Sequence, residues 1–173
     1  ITRAMIADTK RMFDEDFYEN VFDRDEDVNR LSYLSYRTIR YALRNPALAA
    51  QRYALGPMEL VNLWMLTHHV EAIADEAKRV ARYMRRIELS KKEQQKIVEI
   101  AGMLEKNYVD MMKAYYEKNK TLAHTVSARK PELIAKLNSV YEQNQKTDWI
   151  GALTEHMKIM ATNIHDLARA IYE

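Results

Sequence analysis

Cysteine is absent from this chain of 173 residues, and glycine and proline occur only three times each. Without cysteine the chain can form no disulfide, thiolate metal site or thiol nucleophile, and it fits a reducing compartment such as the cytoplasm. So few glycines and prolines cannot supply the tight turns of a sheet protein, so the composition predicts long helices. No apolar run approaches the roughly 20 residues that a membrane-spanning helix needs.

The overall composition is that of a globular protein, with 47% apolar and 30% charged residues. The length fits one compact unit or two very small ones. A formal net charge of +2 is too small to indicate nucleic acid or a membrane as the partner. The chain has no glycine-rich phosphate loop and no assignable set of serine, histidine and acid, so we predict that it is not an enzyme.

Breaks in the sequence divide the chain into six predicted helices. Pro46, Gly56 and Pro57 separate the second helix from the third, and Ser90 with Glu93 has the spacing of a capping box. The predicted helices cover residues 1–19, 24–44, 57–88, 91–119, 131–144 and 148–172.

Apolar residues recur at steps of three and four along these segments, as expected for core-facing sides of helices. The fourth helix carries Ile97, Ala101, Leu104, Tyr108, Met111 and Tyr115. A looser stripe on the second helix consists of Val28, Leu31, Ile39, Ala42 and Leu43.

The order of the first three predicted helices repeats in the last three. The stretch VEAIADEAKRVARYM resembles ATNIHDLARAIYE in the second half, which aligns Asp75 with Asp166. Together with the helical periodicity, this similarity predicts an all-α fold of six helices arranged as two tandem three-helix bundles.

Paired carboxylates mark a candidate cation site. Glu71 and Asp75 lie four residues apart and therefore on one side of a helix, and Asp25 and Asn29 have the same spacing on the preceding helix. If these helices are antiparallel neighbours, the two pairs face each other and supply oxygen ligands for a metal ion, with His68 as a further candidate. The alternatives are a solvated face for Glu71 and Asp75 and an acidic helix start around Asp25.

Two of these stretches resemble a known family. DRDEDVNRLSYLSYRTIRYALRNP, followed by LTHHVEAIADEAKRVARYM, resembles the PhoU family, especially archaeal members with a D-x-x-x-D motif and then a motif like E-R-I-x-D-H-A. Asp25 falls on the first aspartate, and Glu71 and Asp75 fall on the E-x-x-x-D. The match covers most of residues 12–86, and residues 91–173 resemble the second PhoU repeat more weakly.

The resemblance implies a spectrin-like pair of bundles, with residues 1–89 as the first PhoU repeat and residues 90–173 as the second, degenerate one. It also implies a cytoplasmic regulator of phosphate uptake and phosphate signalling, located at a membrane only through contact with a transporter. The implied partners are phosphate-transporter components or a sensor kinase. Apolar faces on long helices add the prediction of a homodimer.

Two alternatives remain open within this resemblance. The chain could be the sensor and oligomerisation domain of a transcription regulator, with an AbrB-like DNA-binding domain before Ile1, in which case the chain is a fragment and binds DNA only through that domain. It could instead be the related accessory protein of a low-affinity phosphate permease. Neighbouring genes and the coding sequence before Ile1 distinguish these alternatives.

Family members that bind iron or other metals do so on the carboxylate motifs, so the resemblance implies a divalent or iron-type ion here. Asn29 replaces an aspartate of the family motif and weakens the first site, and Thr162 replaces the glutamate that would pair with Asp166 in the second. The first motif is therefore the candidate metal site, and the second is expected to hold no metal. The candidate ligands are Asp25, Asn29, Glu71, Asp75, His68 and Asp166.

A basic stripe follows the second helix. Arg30, Arg37 and Arg44 repeat every seven residues, with Arg40 beside them. Such a stripe fits an acidic partner, nucleic-acid phosphate or an anionic membrane surface. The alternative is a solvated face whose arginines pair with nearby acids.

Overall fold

The structure is a computed structural model that describes residues 1–14 and 17–172. These two ranges contain eight helices and no strand. The helices are α1 (Thr2–Thr9), α2 (Tyr18–Arg44), α3 (Pro46–Tyr53), α4 (Pro57–Met84), α5 (Lys91–Glu117), α6 (Lys120–Ala128), α7 (Lys130–Gln143) and α8 (Ile150–Tyr172). The all-α prediction is therefore confirmed.

The predicted number of six helices was too low for the described residues, because two predicted linkers are themselves helical. Pro46 occupies the start of α3, where its fixed φ suits a helix and its missing N–H is not needed. The Asn119 side chain accepts a hydrogen bond from the Leu122 N–H at 2.9 Å and so caps α6. Both helices have only eight or nine residues, too short for a clear apolar period.

The first helix is also shorter than predicted, since α1 ends at Thr9 rather than near residue 19. The Thr9 hydroxyl donates to the Ile6 carbonyl at 2.6 Å, and turns follow to Asp14. The next helix, α2, begins at Tyr18 and packs beside α4. The predicted capping box is confirmed: Ser90 and Glu93 exchange hydrogen bonds of 3.4 and 2.8 Å at the start of α5.

The helices form two groups around one shared core. In the first half, α4 packs against α1 and α2, and in the second half α8 packs against α5, α6 and α7. The most extensive contact in the described chain joins the two halves through α4 and α8. One continuous cluster of buried side chains therefore includes residues from both halves, among them Met5, Ile73, Leu104, Leu137 and Leu153.

The predicted core stripe of α5 is confirmed from Ile97 to Met111, whereas the stripe of α2 was partly wrong. Leu31 and Leu43 are 52% and 42% exposed, because α2 buries the side that carries Val28 and Ile39 against its neighbours. A small second core of Ile39, Ala42, Ala49 and Leu60 holds α3 against α2 and α4.

Within residues 1–14 and 17–172, every helix is too short or too polar to cross a bilayer.

Candidate functional site

A line of polar side chains lies between α2 and α4. Asp25 on α2 is 4% exposed, and its Oδ2 accepts a hydrogen bond from Lys78 Nζ on α4 at 2.5 Å. The same ammonium donates to Asp75 Oδ1 at 3.0 Å, and Asn29 Nδ2 donates to Asp25 Oδ2 at 3.2 Å. The structure therefore brings the two predicted motifs together, with a lysine between them.

The two helices are antiparallel at this interface. Asp25 near the start of α2 contacts Lys78 near the end of α4, whereas Tyr36 and Trp64 pack with ring centroids 4.6 Å apart at the opposite ends. This orientation is the one that the sequence required if the two carboxylate pairs were to face each other.

Both oxygens of Asp75 are engaged. Arg79 donates to Asp75 Oδ2 at 3.1 Å while Lys78 holds Oδ1. Arg79 also forms an ion pair with the buried Glu76. The carboxylates of this cluster are thus neutralised by cations from α4.

Lys78 stays charged in this position. Burial lowers the pKa of its ammonium, but the hydrogen bonds from Lys78 to Asp25 and Asp75 and the charges of both carboxylates raise it, and the net shift is upward. A base with a raised pKa in the folded state contributes stability that is fully present below its unfolded pKa and is lost only as the pH rises through the folded pKa. Its contribution is therefore complete at neutral pH.

Glu71 lies beside this cluster. Its surroundings disfavour its charged form, whereas the surroundings of Lys78 favour the charged form of the lysine. Burial raises the pKa of its carboxyl group, and Asp75 and Asp25 raise it further, while His68 and Lys78 act in the other direction. Tyr36 faces the same group: burial raises the pKa of its hydroxyl first, and the charge of Glu71 adds to the effect. The position of Glu71 is therefore unfavourable for its ionised form.

The donor set does not fit a metal ion in this arrangement. Lys78 occupies the position between Asp25 and Asp75, and Asn29 presents its NH₂ group rather than its carbonyl to Asp25. In the part of the chain that the structure describes, no three histidine, aspartate or glutamate side chains lie close enough to hold one ion. Glu71 feels the charges of Asp25, Asp75 and His68, but this coupling acts over longer distances than coordination does. The metal at Asp25, Asn29, Glu71 and Asp75 stays a prediction, and it requires Lys78 to move.

The two remaining candidate ligands lie in different surroundings. His68 is exposed on α4, where its ring centroid lies 5.5 Å from that of His69. Asp166 lies on α8 in the second half, and its Oδ1 is 2.9 Å from Nδ1 of the adjacent His165. The Thr162 hydroxyl donates to the carbonyl of Lys158, as a helical threonine commonly does.

The sequence reasoning missed a second polar line, which joins the two halves. Pairs of polar and aromatic side chains link α4 to α8 and to Trp149, which directly precedes α8. The members recur every seven residues on each side: His69 with Asn163, Glu76 with His156, and Tyr83 with Trp149. His156 Nδ1 lies 2.7 Å from Glu76 Oε2, and the His156 ring stacks on the Tyr83 ring with their centroids 5.4 Å apart. The heptad spacing of His69, Glu76 and Tyr83 was a usable signal, but their partners are distant in sequence.

Removing the charge of Glu71 should stabilise the protein above mildly acidic pH. An acid whose pKa is raised by folding binds its proton more tightly in the folded state, so stability is lost as the pH rises through that folded pKa. We expect Glu71→Gln to raise the free energy of unfolding at pH 7 by on the order of 0.5 kcal/mol, a small gain because the group is partly exposed. Urea denaturation at pH 7 and near pH 4 measures this, and the gain should shrink at the lower pH.

The matched control for this experiment is Glu99→Gln, which changes an exposed glutamate on α5. It should leave the free energy of unfolding nearly unchanged at either pH. A Glu71→Gln protein that is less stable than the wild type at pH 7 would mean that the ionised carboxylate is held by a favourable contact.

The first half of the chain matches a known family. A family model described as the PhoU domain matches residues 1–84. Neither the curated proteins nor the solved structures gave a significant match to the chain. The matched residues contain α1 to α4 and therefore the whole cluster around Lys78.

Proposed function

From the premise that residues 1–84 belong to the PhoU family, we propose that this protein regulates phosphate uptake and phosphate signalling by contact with other proteins. The family match over the half that carries both motifs is the observation on which this proposal rests. The partners proposed are components of a phosphate transporter or a sensor kinase, and the place of action is the cytoplasm, at the membrane only through such a partner.

The helix arrangement supports a division into two repeats, 1–89 and 90–173, as part of this proposal. Each half has one central helix: α4 contacts α1 and α2, α8 contacts α5, α6 and α7, and these two central helices pack against each other. The second repeat has a weaker motif, since Asp166 keeps the aspartate of the first motif but Thr162 replaces its glutamate. Since only the first repeat keeps both acidic residues of the motif, the two repeats suit a scaffold with one principal contact surface.

A non-catalytic role agrees with the state of the charged groups at the candidate site. Asp25 and Glu76 are paired across helix interfaces with Lys78 and His156, and Asp75 is paired with Lys78 and Arg79 of its own helix. The two pairs that cross an interface join α2 and α8 to α4, so these charges are already engaged in contacts between helices. A divalent or iron-type ion at the first motif remains a separate proposal.

Deleting the gene in its host should raise phosphate uptake under phosphate-replete conditions, because a restraint on the transporter is lost. Uptake of radiolabelled phosphate measures this, and expression of the intact chain should restore the wild-type rate. Affinity capture followed by identification of transporter subunits or a sensor kinase tests the proposed mode of action. Unchanged uptake together with no such association would refute the proposed function.

The same strains distinguish the two alternatives. A transcription regulator with this sensor domain would change the transcript level of phosphate genes and would carry an AbrB-like segment encoded before Ile1. An accessory protein of a low-affinity permease would alter only the uptake that persists at high phosphate. Neither alternative has a specific contact in the described residues in its favour.

A further inference from the structure

The outer face of α2 presents large apolar side chains to solvent. Tyr33 is 72% exposed, Leu34 is 60% exposed and Tyr41 is 59% exposed, and Leu31 lies beside them at 52%. The opposite face of the helix is buried, with Val21, Val28 and Ile39 among its residues. Four exposed apolar side chains within three turns of one helix are typical of a contact surface.

Charge along this face changes sign at its middle. The first part is acidic and the second part is basic, and the members follow one another at steps of three, four and seven residues, so they line one side of the helix. The acidic members are Glu19, Asp23 and Glu26, and the basic members are Arg30, Arg37 and Arg44, all exposed. The apolar side chains lie around and within the basic part.

We propose that this face of α2 is the interface of a symmetric homodimer, in which α2 packs antiparallel against α2 of a second copy. A twofold axis perpendicular to a helix sets that helix antiparallel to its own copy, so each contact occurs twice. An axis passing between Leu31 and Ser32 places Glu26 opposite the partner's Arg37 and Glu19 opposite the partner's Arg44.

The same register matches the aromatic side chains. Phe22, which is 38% exposed, lies opposite the partner's Tyr41, and Arg30 lies opposite the partner's Tyr33. The first pair buries two aromatic rings, and the second sets a guanidinium near a phenol ring. A single register therefore satisfies both the charges and the apolar surface.

The change of charge along the face argues for a second copy as the occupant. An anionic membrane or nucleic acid would meet the arginines but would be repelled by Glu19, Asp23 and Glu26. An entirely acidic partner would face the same repulsion. A surface with the reverse order of charges satisfies both parts, and the antiparallel copy of α2 is such a surface.

Contacts within the chain leave this face available. Arg30 pairs with Asp27, Glu19 lies 3.8 Å from Arg85, and Arg40 lies over the Trp64 ring. The two ion pairs are exposed and therefore weak, so they can exchange for contacts across the dimer. The inference does not depend on the proposed function, since it concerns only the surface of the purified chain.

Sedimentation equilibrium of the full chain tests the dimer. We expect a dissociation constant on the order of micromolar at low salt and weaker association at high salt, because exposed charge pairs are screened. Arg37→Glu places Glu26 opposite a second glutamate at two symmetric positions and should raise the dissociation constant at least about tenfold. Glu26→Arg should do the same by setting arginine opposite arginine.

Mixing the two charge-reversal variants provides the decisive measurement. Each should be largely monomeric alone, but an equimolar mixture should associate. In the mixed dimer the native Glu26 of one chain meets the native Arg37 of the other, and the two substituted side chains, also of opposite charge, meet at the symmetric position. Lys106→Glu, on an exposed position of α5, is the control and should leave association unchanged. Circular dichroism should give the same helix content for every variant, since all the changes are on the surface.

Three results would overturn the proposal. One is a wild-type chain that remains monomeric at about 200 µM, well above the expected dissociation constant. Another is a dimer that neither charge reversal weakens, which would locate the interface elsewhere. The third is a mixture of the two variants that stays monomeric, which would exclude the antiparallel register.

Discussion

Replacing Lys78 by methionine is expected to lower the free energy of unfolding by about 3 kcal/mol, because the substitution leaves the buried Asp25 carboxylate without its cation. The Asp25 side chain is 5% exposed, and Lys78 Nζ is 2.5 Å from its oxygen. The nearest remaining donor is the neutral amide of Asn29 at 3.2 Å, which cannot offset a full charge. Urea denaturation at pH 7, followed by circular dichroism, measures the loss.

Two further variants make this result specific. Adding Asp25→Asn to Lys78→Met removes the unpaired charge and should recover much of the stability, a coupling that a double-mutant cycle quantifies. Lys106→Met changes an exposed lysine and should have little effect. A loss below about 0.5 kcal/mol for Lys78→Met would indicate that water screens Asp25 as it does a surface pair.

The Lys78 variant also tests the metal prediction. As long as Lys78 keeps this position, protein prepared without chelator should hold no stoichiometric metal, because the ammonium already neutralises Asp25 and Asp75, and the proposed ion binds only if Lys78 moves away. Lys78→Met frees these oxygens and should increase binding of Mn²⁺ or Zn²⁺, measured by elemental analysis and by thermal stabilisation with added metal. One equivalent of metal in the wild type that disappears in Glu71→Gln with Asp75→Asn would establish the metal site and displace Lys78 from its proposed role.

Leu153→Ala is expected to lower the free energy of unfolding by about 2–5 kcal/mol and to do so for both halves at once. Leu153 on α8 is 0% exposed and belongs to the core cluster that also contains Ile73 of α4. Deleting its branched end leaves a cavity in the shared core. If the two halves unfold as one cooperative unit, a probe in the first half must report the same decrease in the free energy of unfolding.

The two tryptophans allow this to be measured. Trp64 lies in the first half and Trp149 precedes α8, so a Trp149→Phe background leaves Trp64 as the single tryptophan probe. Leu153→Ala should lower the urea concentration at the midpoint of the transition reported by Trp64. The midpoint reported by circular dichroism should fall by the same amount. Ile159→Ala, at a 37% exposed position on the same helix, is the control and should have a much smaller effect. A Trp64 transition that does not move would mean that the halves unfold separately.

Much of the candidate site followed from local sequence. The four-residue spacings of Asp25 with Asn29 and of Glu71 with Asp75 are enough to place each pair on one side of a helix. The pairs do meet between α2 and α4. Lys78 was visible in the same stretch, three residues after Asp75, but its role depends on Asp25, which is 53 residues away in sequence.

The sequence by itself determined the helical class, the capping box at Ser90 and the core stripe of α5, because caps and apolar periods act within a few residues of one segment. The tertiary structure alone decided where α1 ends, which leucines of α2 are exposed, and how the halves join. The contact of Glu76 with His156 spans 80 residues, and Leu31 is exposed only because α2 turns its other side to α4. Such features depend on which helix faces which, and local propensity and spacing do not specify the partner of a helix face.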